Sequence, residues 1–489
     1  MTLTKTTERE QPRRWHPPEV REEAVRRVLD LTAAAGGNRY GVVPRVAREV
    51  GVSPSSLRSW LRQAESTRID VLAARVLEAE PRPVVATPPS RAPRPAGAVR
   101  RRLGAAALAL RRPMAFYLAS RAVVLVAVLC ANATRAGLVN HRGSILWPAV
   151  PSSGGLLDGF SVWDAGWYVH IATHWYVAPP LPNSPLGGDM AFFPLFPCLV
   201  RAVSVMTGTS PLAGGWILAV FTGAAAVAAV WYATRAVAGA AVADRAAALW
   251  CLFPGAFVLS LVYAEGLTVA CAGLCIVALV RRRWVAAGVA AALAGATQPV
   301  GLVLIGCCGW AAVAAVRSRR DWRAVAAPVL APLGVAAYFG YLWARTGDPK
   351  AWFDSERMFW SQGHFGPYWT VVRPVSHFLH DPGAVWHNPG VWDNAVRVAG
   401  LAVVAALVWL VWKWRPPAVL GIWAAGAVVL ALMSAPVGAR PRFILVAFPL
   451  IVALARRLPR PAFYAAVALE AVLLGALTFT TVTTLNIVP

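Results

Sequence analysis

Charged residues are scarce in this sequence: Asp, Glu, Lys and Arg make up 14% of it. A soluble protein carries about 25% charged residues, so the composition excludes an ordinary soluble enzyme. With 57% hydrophobic residues, the chain is also too apolar to be mainly disordered. We therefore expect most of the 489 residues to form one large membrane body.

Cysteine motifs are missing as well. The seven cysteines lie almost all inside apolar runs, where we expect them to be small buried hydrophobes. None of them has CxxC spacing, which argues against a zinc ribbon. The first 14 residues are polar and lack a short apolar core, so we expect no cleavable signal peptide.

Charge is uneven along the chain, whose net charge is +24. Residues 1–112 hold 22 Lys and Arg and 11 Asp and Glu, and the long remainder has only slightly more of each sign. This predicts a soluble-type segment followed by a part built for lipid. We expect a helical module at 1–65, an extension with linker and basic segment at 66–112, and a membrane domain at 113–489.

Residues 15–65 have the pattern of a helix-turn-helix. Apolar residues recur at helical spacing in EVREEAVRRVLDL, residues 19–31. Gly51 falls in a predicted turn, and Ser53 before Pro54 is typical of a helix start. The DNA-contacting side of the recognition helix would then consist of Ser55, Ser56, Arg58 and Arg62.

This segment resembles the helix-turn-helix subunit of insertion-sequence transposases in RRWHPPEVREEAVRRVL and VAREVGVSPSSLRSWLRQAE. The resemblance implies that residues 1–65 bind DNA. The alternative is a basic helical hairpin with no DNA role.

Residues 81–98, PRPVVATPPSRAPRPAGA, are Pro-rich and predict a semi-extended linker. An arginine cluster follows at 100–102 and 111–112. Such juxtamembrane clusters lie on the cytoplasmic side and favour a bilayer with anionic lipids. The N-terminus is therefore expected in the cytoplasm.

Apolar runs long enough to cross a ~30 Å bilayer core recur from Pro113 onward. The predicted fold class is all-α, a polytopic helical membrane protein with about eleven spans. We place the spans near 114–133, 212–232, 244–260, 262–280, 284–297, 299–316, 324–344, 395–412, 418–435, 441–456 and 462–484. The stretch 191–206 contains Pro194, Pro197 and Arg201, and is expected to be re-entrant or interfacial.

Basic groups between the spans place two long loops, 134–211 and 345–394, outside the cell. These loops hold most acidic residues of the membrane body and seven of the eight histidines. A transporter keeps its polar groups near the bilayer midplane. Their concentration on one face suits an enzyme of the plasma membrane that works on the extracytoplasmic side.

The densest local signal is SVWDAGWYVHIATHWY, residues 161–176, which predicts an aromatic-rich interfacial helix. Asp164 lies near the membrane boundary, where a carboxylate can take a proton from an acceptor hydroxyl. The alternative is a helix N-cap.

WDAGWY at 163–168, AFFPLFPCLVR at 191–201, LSLVYAEGL at 259–267, ATQPVGL at 296–302 and PRFILVAFPL at 441–450 resemble the bacterial mannosyltransferases related to phosphatidylinositol-glycan class V. These are membrane glycosyltransferases of the GT-C class. The resemblance implies a polyprenyl-phosphate sugar donor, usually of mannose, inversion at the anomeric carbon, and Asp164 as catalytic base. The acceptor would be an extracytoplasmic glycan or glycolipid.

One position departs from the family. It commonly has Thr-Arg-Pro where this chain has Thr297, Gln298 and Pro299. An arginine there could hold the donor phosphate, whereas Gln298 offers only a neutral hydrogen bond. Arg440 and Arg442 remain as external cations, either for phosphate contact or as membrane anchors.

Other candidates have competing interpretations. Glu265 near a span end is costly at membrane depth, so it indicates function, unless it pairs structurally with an arginine. His170 and His174 at i, i+4 suit a divalent metal, sugar hydroxyls or simple packing, and no metal is required. We expect the substrate pocket to include Trp163, Asp189, Glu265, Gln298, Arg442, His170 and His174.

Two other functions compete with sugar transfer. A membrane-tethered DNA-binding regulator would use the helix-turn-helix as its output. A lipid-linked sugar flippase would need buried ionisable groups in several spans, and apart from Glu265 the sequence offers almost none.

Overall fold

The computed structural model describes residues 17–34, 42–57, 59–61, 96–134, 156–176, 185–360, 366–434 and 438–484. Within them the chain forms helices and turns, with no strand. Two compact units divide at Ala98 and Val99. The all-α class predicted from the sequence is confirmed.

The N-terminal unit contains α1 (Pro18–Ala34), α2 (Val42–Val50) and a further helical stretch at 54–57 and 59–61. Its small apolar core includes Val28, Val46 and Leu57, all fully buried. Gly51 adopts φ +71° in the turn, a region that costs glycine little.

The start of the third helical stretch is capped as the sequence predicts. Ser53 Oγ accepts a hydrogen bond from the backbone N–H of Ser56 at 3.0 Å. Ser55 is exposed and Ser56 is partly buried. Arg58 and Arg62 lie outside the described residues, as do the linker residues up to 95.

The larger unit consists of α-helices joined by short 3₁₀ segments. Its α-helices are α3 (Ala96–Ala133), α4 (Ala165–His174), α5 (Leu195–Thr207), α6 (Pro211–Ala238), α7 (Ala240–Leu252), α8 (Glu265–Val280), α9 (Trp284–Gly295), α10 (Val303–Arg319), α11 (Ala326–Leu330), α12 (Leu333–Thr346), α13 (Ala351–Phe359), α14 (Arg373–His380), α15 (Trp392–Trp414), α16 (Ala418–Met433), α17 (Pro441–Val446), α18 (Pro449–Arg457) and α19 (Arg460–Thr483). The 3₁₀ segments are Leu156–Phe160, Pro185–Ala191, Pro254–Leu259, Pro299–Leu302, Trp322–Val325, Pro382–Trp386 and Pro389–Val391, and Tyr368–Val372 is a π-helix.

Six helical segments of the described chain are long and apolar enough to cross a membrane. They are Ala107–Ala133, Pro211–Ala238, Pro299–Arg319, Trp322–Thr346, Pro389–Trp414 and Arg460–Thr483. Each contains one predicted span. The helices α8, α9 and α16 are shorter and coincide with three more, and α5 matches the stretch expected not to cross.

Two predicted spans are not continuous helices. The span near 244–260 ends as α-helix at Leu252 and continues as the 3₁₀ segment Pro254–Leu259. The span near 441–456 is broken between α17 and α18. Both restarts have proline at an early helical position, which fixes φ and removes a backbone donor.

The first of these breaks meets the start of α17 through a glycine. A Cβ on Gly255 would lie 2.3 Å from the carbonyl oxygen of Pro441 and 2.7 Å from the backbone nitrogen of Arg442. Only a residue without a side chain allows this approach. The break at 254–259 therefore sets the position of the backbone that carries Arg442.

Candidate active site

A cavity of about 530 Å³ lies in the larger unit. Polar side chains form one part of its lining and an apolar helix face forms another. Four residues expected in the pocket line it together: Asp164, Glu265, Gln298 and Arg442.

Asp164 is held in place by its backbone. Its N–H donates a hydrogen bond to Tyr263 Oη at 3.1 Å. The preceding residue, Trp163, has φ +59°, unusual for a bulky side chain. Its indole Nε1 donates to the carbonyl of Thr481 at 3.0 Å, which anchors this turn to α19. Trp163 is thus buried behind the site and does not line the cavity.

The carboxylate of Asp164 bonds to an arginine. Arg442 Nη1 donates to Asp164 Oδ2 at 2.6 Å, and the Asp164 side chain makes no capping hydrogen bond to α4. The same Nη1 lies 3.9 Å from Glu265 Oε1. One guanidinium therefore faces two carboxyl groups, and the arginine pairing considered for Glu265 is present.

Glu265 is the first residue of α8 and is only 1% exposed. A helix N-terminus stabilises a carboxylate at this place. Its Oε2 has no hydrogen-bond partner among the described residues. A buried acceptor in that state is costly and suits a group that meets a ligand.

Gln298 lies in extended backbone between α9 and the segment Pro299–Leu302. Its Oε1 accepts a hydrogen bond from Thr268 at 2.9 Å, and its amide group faces Tyr168 and Glu265. Burial raises the pKa of the Tyr168 phenol well above its usual value, so this hydroxyl stays neutral. The position where the family has arginine is thus a neutral hydrogen-bonding corner.

A second arginine group also lines the cavity. Arg397 Nε and Arg440 Nη2 both donate to Asp393 Oδ2, at 2.9 and 3.0 Å. Burial lowers the pKa of Arg440 to about 10, which leaves it protonated at neutral pH. Sequence reasoning noted Arg440 but missed Arg397 and Asp393 as part of the site.

Two parts of the chain match known protein families. Residues 193–436 match the model of glycosyltransferase family 87. That is a GT-C family, so the predicted GT-C resemblance is confirmed, while the likeness to the class V mannosyltransferases stays a prediction. The match contains Glu265, Gln298, Asp393 and Arg397, and ends shortly before Arg442. Residues 9–87 match a family described as "Transposase", in agreement with the sequence reading.

Among solved structures, ArnT from Cupriavidus metallidurans bound to undecaprenyl phosphate is similar, at 15% identity and a TM-score of 0.43. The match covers 72% of this chain and 61% of ArnT. The oligosaccharyltransferase of Archaeoglobus fulgidus with a tethered acceptor peptide is similar at 12% identity and a TM-score of 0.35, over 74% of this chain and 55% of that one. No curated protein matches the chain.

The cavity also has two apolar walls. One is aromatic: Trp360 packs edge-on against Phe192, with ring centroids 5.4 Å apart, and Trp352 lies nearby. The other is a face of α16 with small and aliphatic side chains, including Ala427 and Leu430. The cavity thus combines charged side chains with an aromatic wall and an aliphatic wall. An aromatic surface suits a sugar ring, and an aliphatic surface suits a hydrocarbon chain.

Asp189 is fully buried and does not line this cavity. It belongs to the segment Pro185–Ala191, which is hydrogen-bonded to α13 and the residue after it. Ser355 Oγ donates to the Gly187 carbonyl at 2.8 Å and Trp360 Nε1 donates to the Gly188 carbonyl at 3.0 Å. Asp189 thus lies in a segment that holds the aromatic residue Trp360 in place.

His170 and His174 also lie outside the cavity lining, with ring centroids 4.9 Å apart. Burial, and the neighbouring His174, lower the pKa of His170. The His170 ring meets Trp167 edge-on. Within the described ranges, no three His, Cys, Asp or Glu side chains are grouped to hold a metal.

A partly buried arginine that sequence reasoning missed supports the backbone near the site. Arg121 in α3 donates to Ser260 Oγ at 2.6 Å and to the Ala256 carbonyl at 2.8 Å. These bonds fix the segment Pro254–Leu259. Gly255 of this segment packs closely against the backbone nitrogen of Arg442. Arg121 lies inside a predicted span and satisfies one backbone carbonyl of the helix break, that of Ala256.

Proposed function

We propose that this protein transfers mannose, or a related hexose, from a polyprenyl-phosphate carrier to an extracytoplasmic glycan or lipid acceptor. The observation that carries the proposal is the contact of Asp164, Arg442 and Glu265 in one cavity. The family 87 match supports sugar transfer as the reaction class. The apolar face of α16 supports a donor with a hydrocarbon chain.

Asp164 acts as the general base in this mechanism. Its carboxylate takes the proton of the acceptor hydroxyl as that oxygen forms a bond to the anomeric carbon. The bond from this carbon to the phosphate oxygen breaks, and the electron pair leaves with the polyprenyl phosphate. Attack from the face opposite the phosphate inverts the anomeric centre.

Arg442 orients the Asp164 carboxylate through the charge-assisted bond at 2.6 Å. Glu265 and Gln298 face the same space and can bind sugar hydroxyls. Positioning of this kind is worth a large part of an enzymatic rate enhancement.

The direct test is transfer in vitro. Purified full-length protein in detergent is given polyprenyl-phosphate mannose with a radiolabelled sugar and a membrane glycolipid extract as acceptor. Label that moves from the donor into the glycolipid fraction supports the proposal. Donor that stays intact, beside an active control glycosyltransferase in the same extract, contradicts it.

The proposed topology places the site outside the cell. Lys350 and Arg319 are exposed residues beyond opposite ends of the segment Trp322–Thr346. A cysteine at 350 should react with an impermeant maleimide added to intact cells, and a cysteine at 319 should react only after lysis. The parent needs Cys130→Ser and Cys198→Ser, because these two native thiols are not fully buried. The reverse labelling pattern would put Asp164 on the cytoplasmic side.

The N-terminal unit should be dispensable for sugar transfer. Deletion of residues 1–95 removes the helix-turn-helix and the linker and leaves α3 intact from Ala96. We expect normal membrane insertion and a transfer rate within about twofold of the full chain, since every side chain named at the site lies in the larger unit. Loss of transfer at equal protein amounts would make the first unit part of the enzyme.

DNA binding by residues 1–65 is a second candidate function. It is supported by the match of residues 9–87 to the transposase family and by the capped helix that begins after Ser53. Specific binding should weaken steeply as salt rises, because phosphate contacts release counterions. Titration of a random duplex library at two salt concentrations, followed by sequencing of the bound fraction, tests it. An unenriched library contradicts sequence-specific binding.

A further inference from the structure

The charged side chains around the cavity are not evenly mixed. In one group, a single guanidinium, that of Arg442, faces the carboxyl groups of Asp164 and Glu265. This group is rich in carboxylates and presents no excess positive charge to a ligand.

The ratio of guanidinium to carboxylate is reversed in a second group. Arg397 and Arg440 share the single carboxylate of Asp393, and both donate to the same oxygen. The Arg440 side chain is 4% exposed and that of Arg397 17% exposed. Two buried guanidinium groups on one carboxylate leave a positive potential at a place with little water, where an anion is strongly attracted.

Guanidinium groups also match phosphate in geometry. Their planar N–H donors bind phosphate oxygens in pairs, and such charge-assisted bonds are about twice as strong as neutral ones. Gln298, at the position where an arginine could have held a phosphate, has no charge. A phosphate near Arg442 would meet two carboxyl groups. The pair Arg397 and Arg440 is therefore the more favourable place for a phosphate.

We propose that Arg397 and Arg440, held together by Asp393, bind the phosphate of the lipid-linked sugar donor. The proposal rests on the proposed function, from which the donor class is taken. It assigns the two groups separate tasks. Arg397 and Arg440 bind the leaving phosphate, and the carboxylate of Asp164 takes the acceptor proton.

The test compares binding of undecaprenyl phosphate and undecaprenol to the full chain in detergent. These lipids differ only in the phosphate. We expect the wild type to prefer undecaprenyl phosphate by about a hundredfold, Arg397→Gln and Arg440→Gln each to lose about tenfold of that preference, and the double variant to lose nearly all of it. Arg345→Gln, an exposed arginine outside the cavity, serves as the matched control.

Asp393→Asn separates binding from folding. It replaces the charged partner of both arginines by a neutral amide and so removes the competing carboxylate. Undecaprenyl phosphate should therefore bind at least as tightly as to the wild type. An equal loss of binding in Asp393→Asn would indicate a general disturbance of the fold and overturn the assignment. Unchanged binding in the double arginine variant would overturn it as well.

A parallel transfer assay keeps the two proposals apart. If the wild type transfers sugar and the double variant binds undecaprenyl phosphate normally, the phosphate site is wrong and the function stands. If no sugar is transferred but the arginine variants lose the phosphate preference, the site stands and the function fails. A wild type that binds both lipids equally overturns the site together with the donor class.

Discussion

Asp164→Asn is expected to lower the sugar-transfer rate by at least about 10²–10⁴-fold, the usual contribution of a general base. An amide has almost the size of a carboxylate but cannot take the proton of the acceptor hydroxyl. Asn can still accept a hydrogen bond from Arg442, and the helix loses nothing, because the Asp164 side chain does not cap α4. Initial rates with the radiolabelled donor measure the effect, and undecaprenyl phosphate binding should stay unchanged.

Asp158→Asn is the matched control, since Asp158 lies just upstream in Leu156–Phe160 and outside the cavity. It should transfer sugar at close to the wild-type rate. An Asp164→Asn variant with near wild-type turnover would rule out the base mechanism proposed above.

Arg442→Gln should harm both stability and activity. The change leaves Asp164 and Glu265 near each other without the guanidinium between them, and Glu265 is 1% exposed. Removing one partner of a buried ion pair typically costs about 3–5 kcal/mol. We expect a clearly lower midpoint of thermal unfolding in detergent and loss of sugar transfer. Arg345→Gln, on an exposed surface, should leave both unchanged.

A second change identifies the cause of that loss. Adding Glu265→Gln to Arg442→Gln removes one of the two unbalanced carboxyls and should recover about 1 kcal/mol or more of the lost stability, as coupled neighbours do. Transfer should remain absent, because Asp164 still lacks its counter-ion. Purely additive destabilisation by the two changes would mean that Arg442 and Glu265 do not interact.

Much of the membrane fold could be predicted because bilayer thickness imposes a length on apolar helices. Six predicted spans coincide with long helices in the structure. The spans near 244–260 and 441–456 are not continuous helices. Hydropathy does not detect such a break, because the residues stay apolar and other parts of the protein bind the open backbone groups. In Pro254–Leu259, Arg121 donates to the carbonyl of Ala256. No local sequence pattern connects Arg121 to that segment.

The site could be predicted only in part, for a similar reason. Asp164, Glu265, Gln298 and Arg442 came from motifs, and all four line the cavity. His170 and His174 share a helix face, but spacing alone does not say which way the face points. The pairing of Asp393 with Arg440 joins residues 47 positions apart and became visible only in three dimensions.

The bond of Trp163 to the Thr481 carbonyl links residues 318 positions apart, and the ion pair of Asp164 and Arg442 links residues 278 positions apart. Early and late parts of the chain must therefore both be in the membrane before the carboxylate is fixed. During synthesis, the aspartate waits for the last helix of the described chain to insert. In the proposed mechanism, a chain that lacks this last helix would hold the Asp164 carboxylate without the anchor that Thr481 gives to Trp163, and should be inactive in transfer.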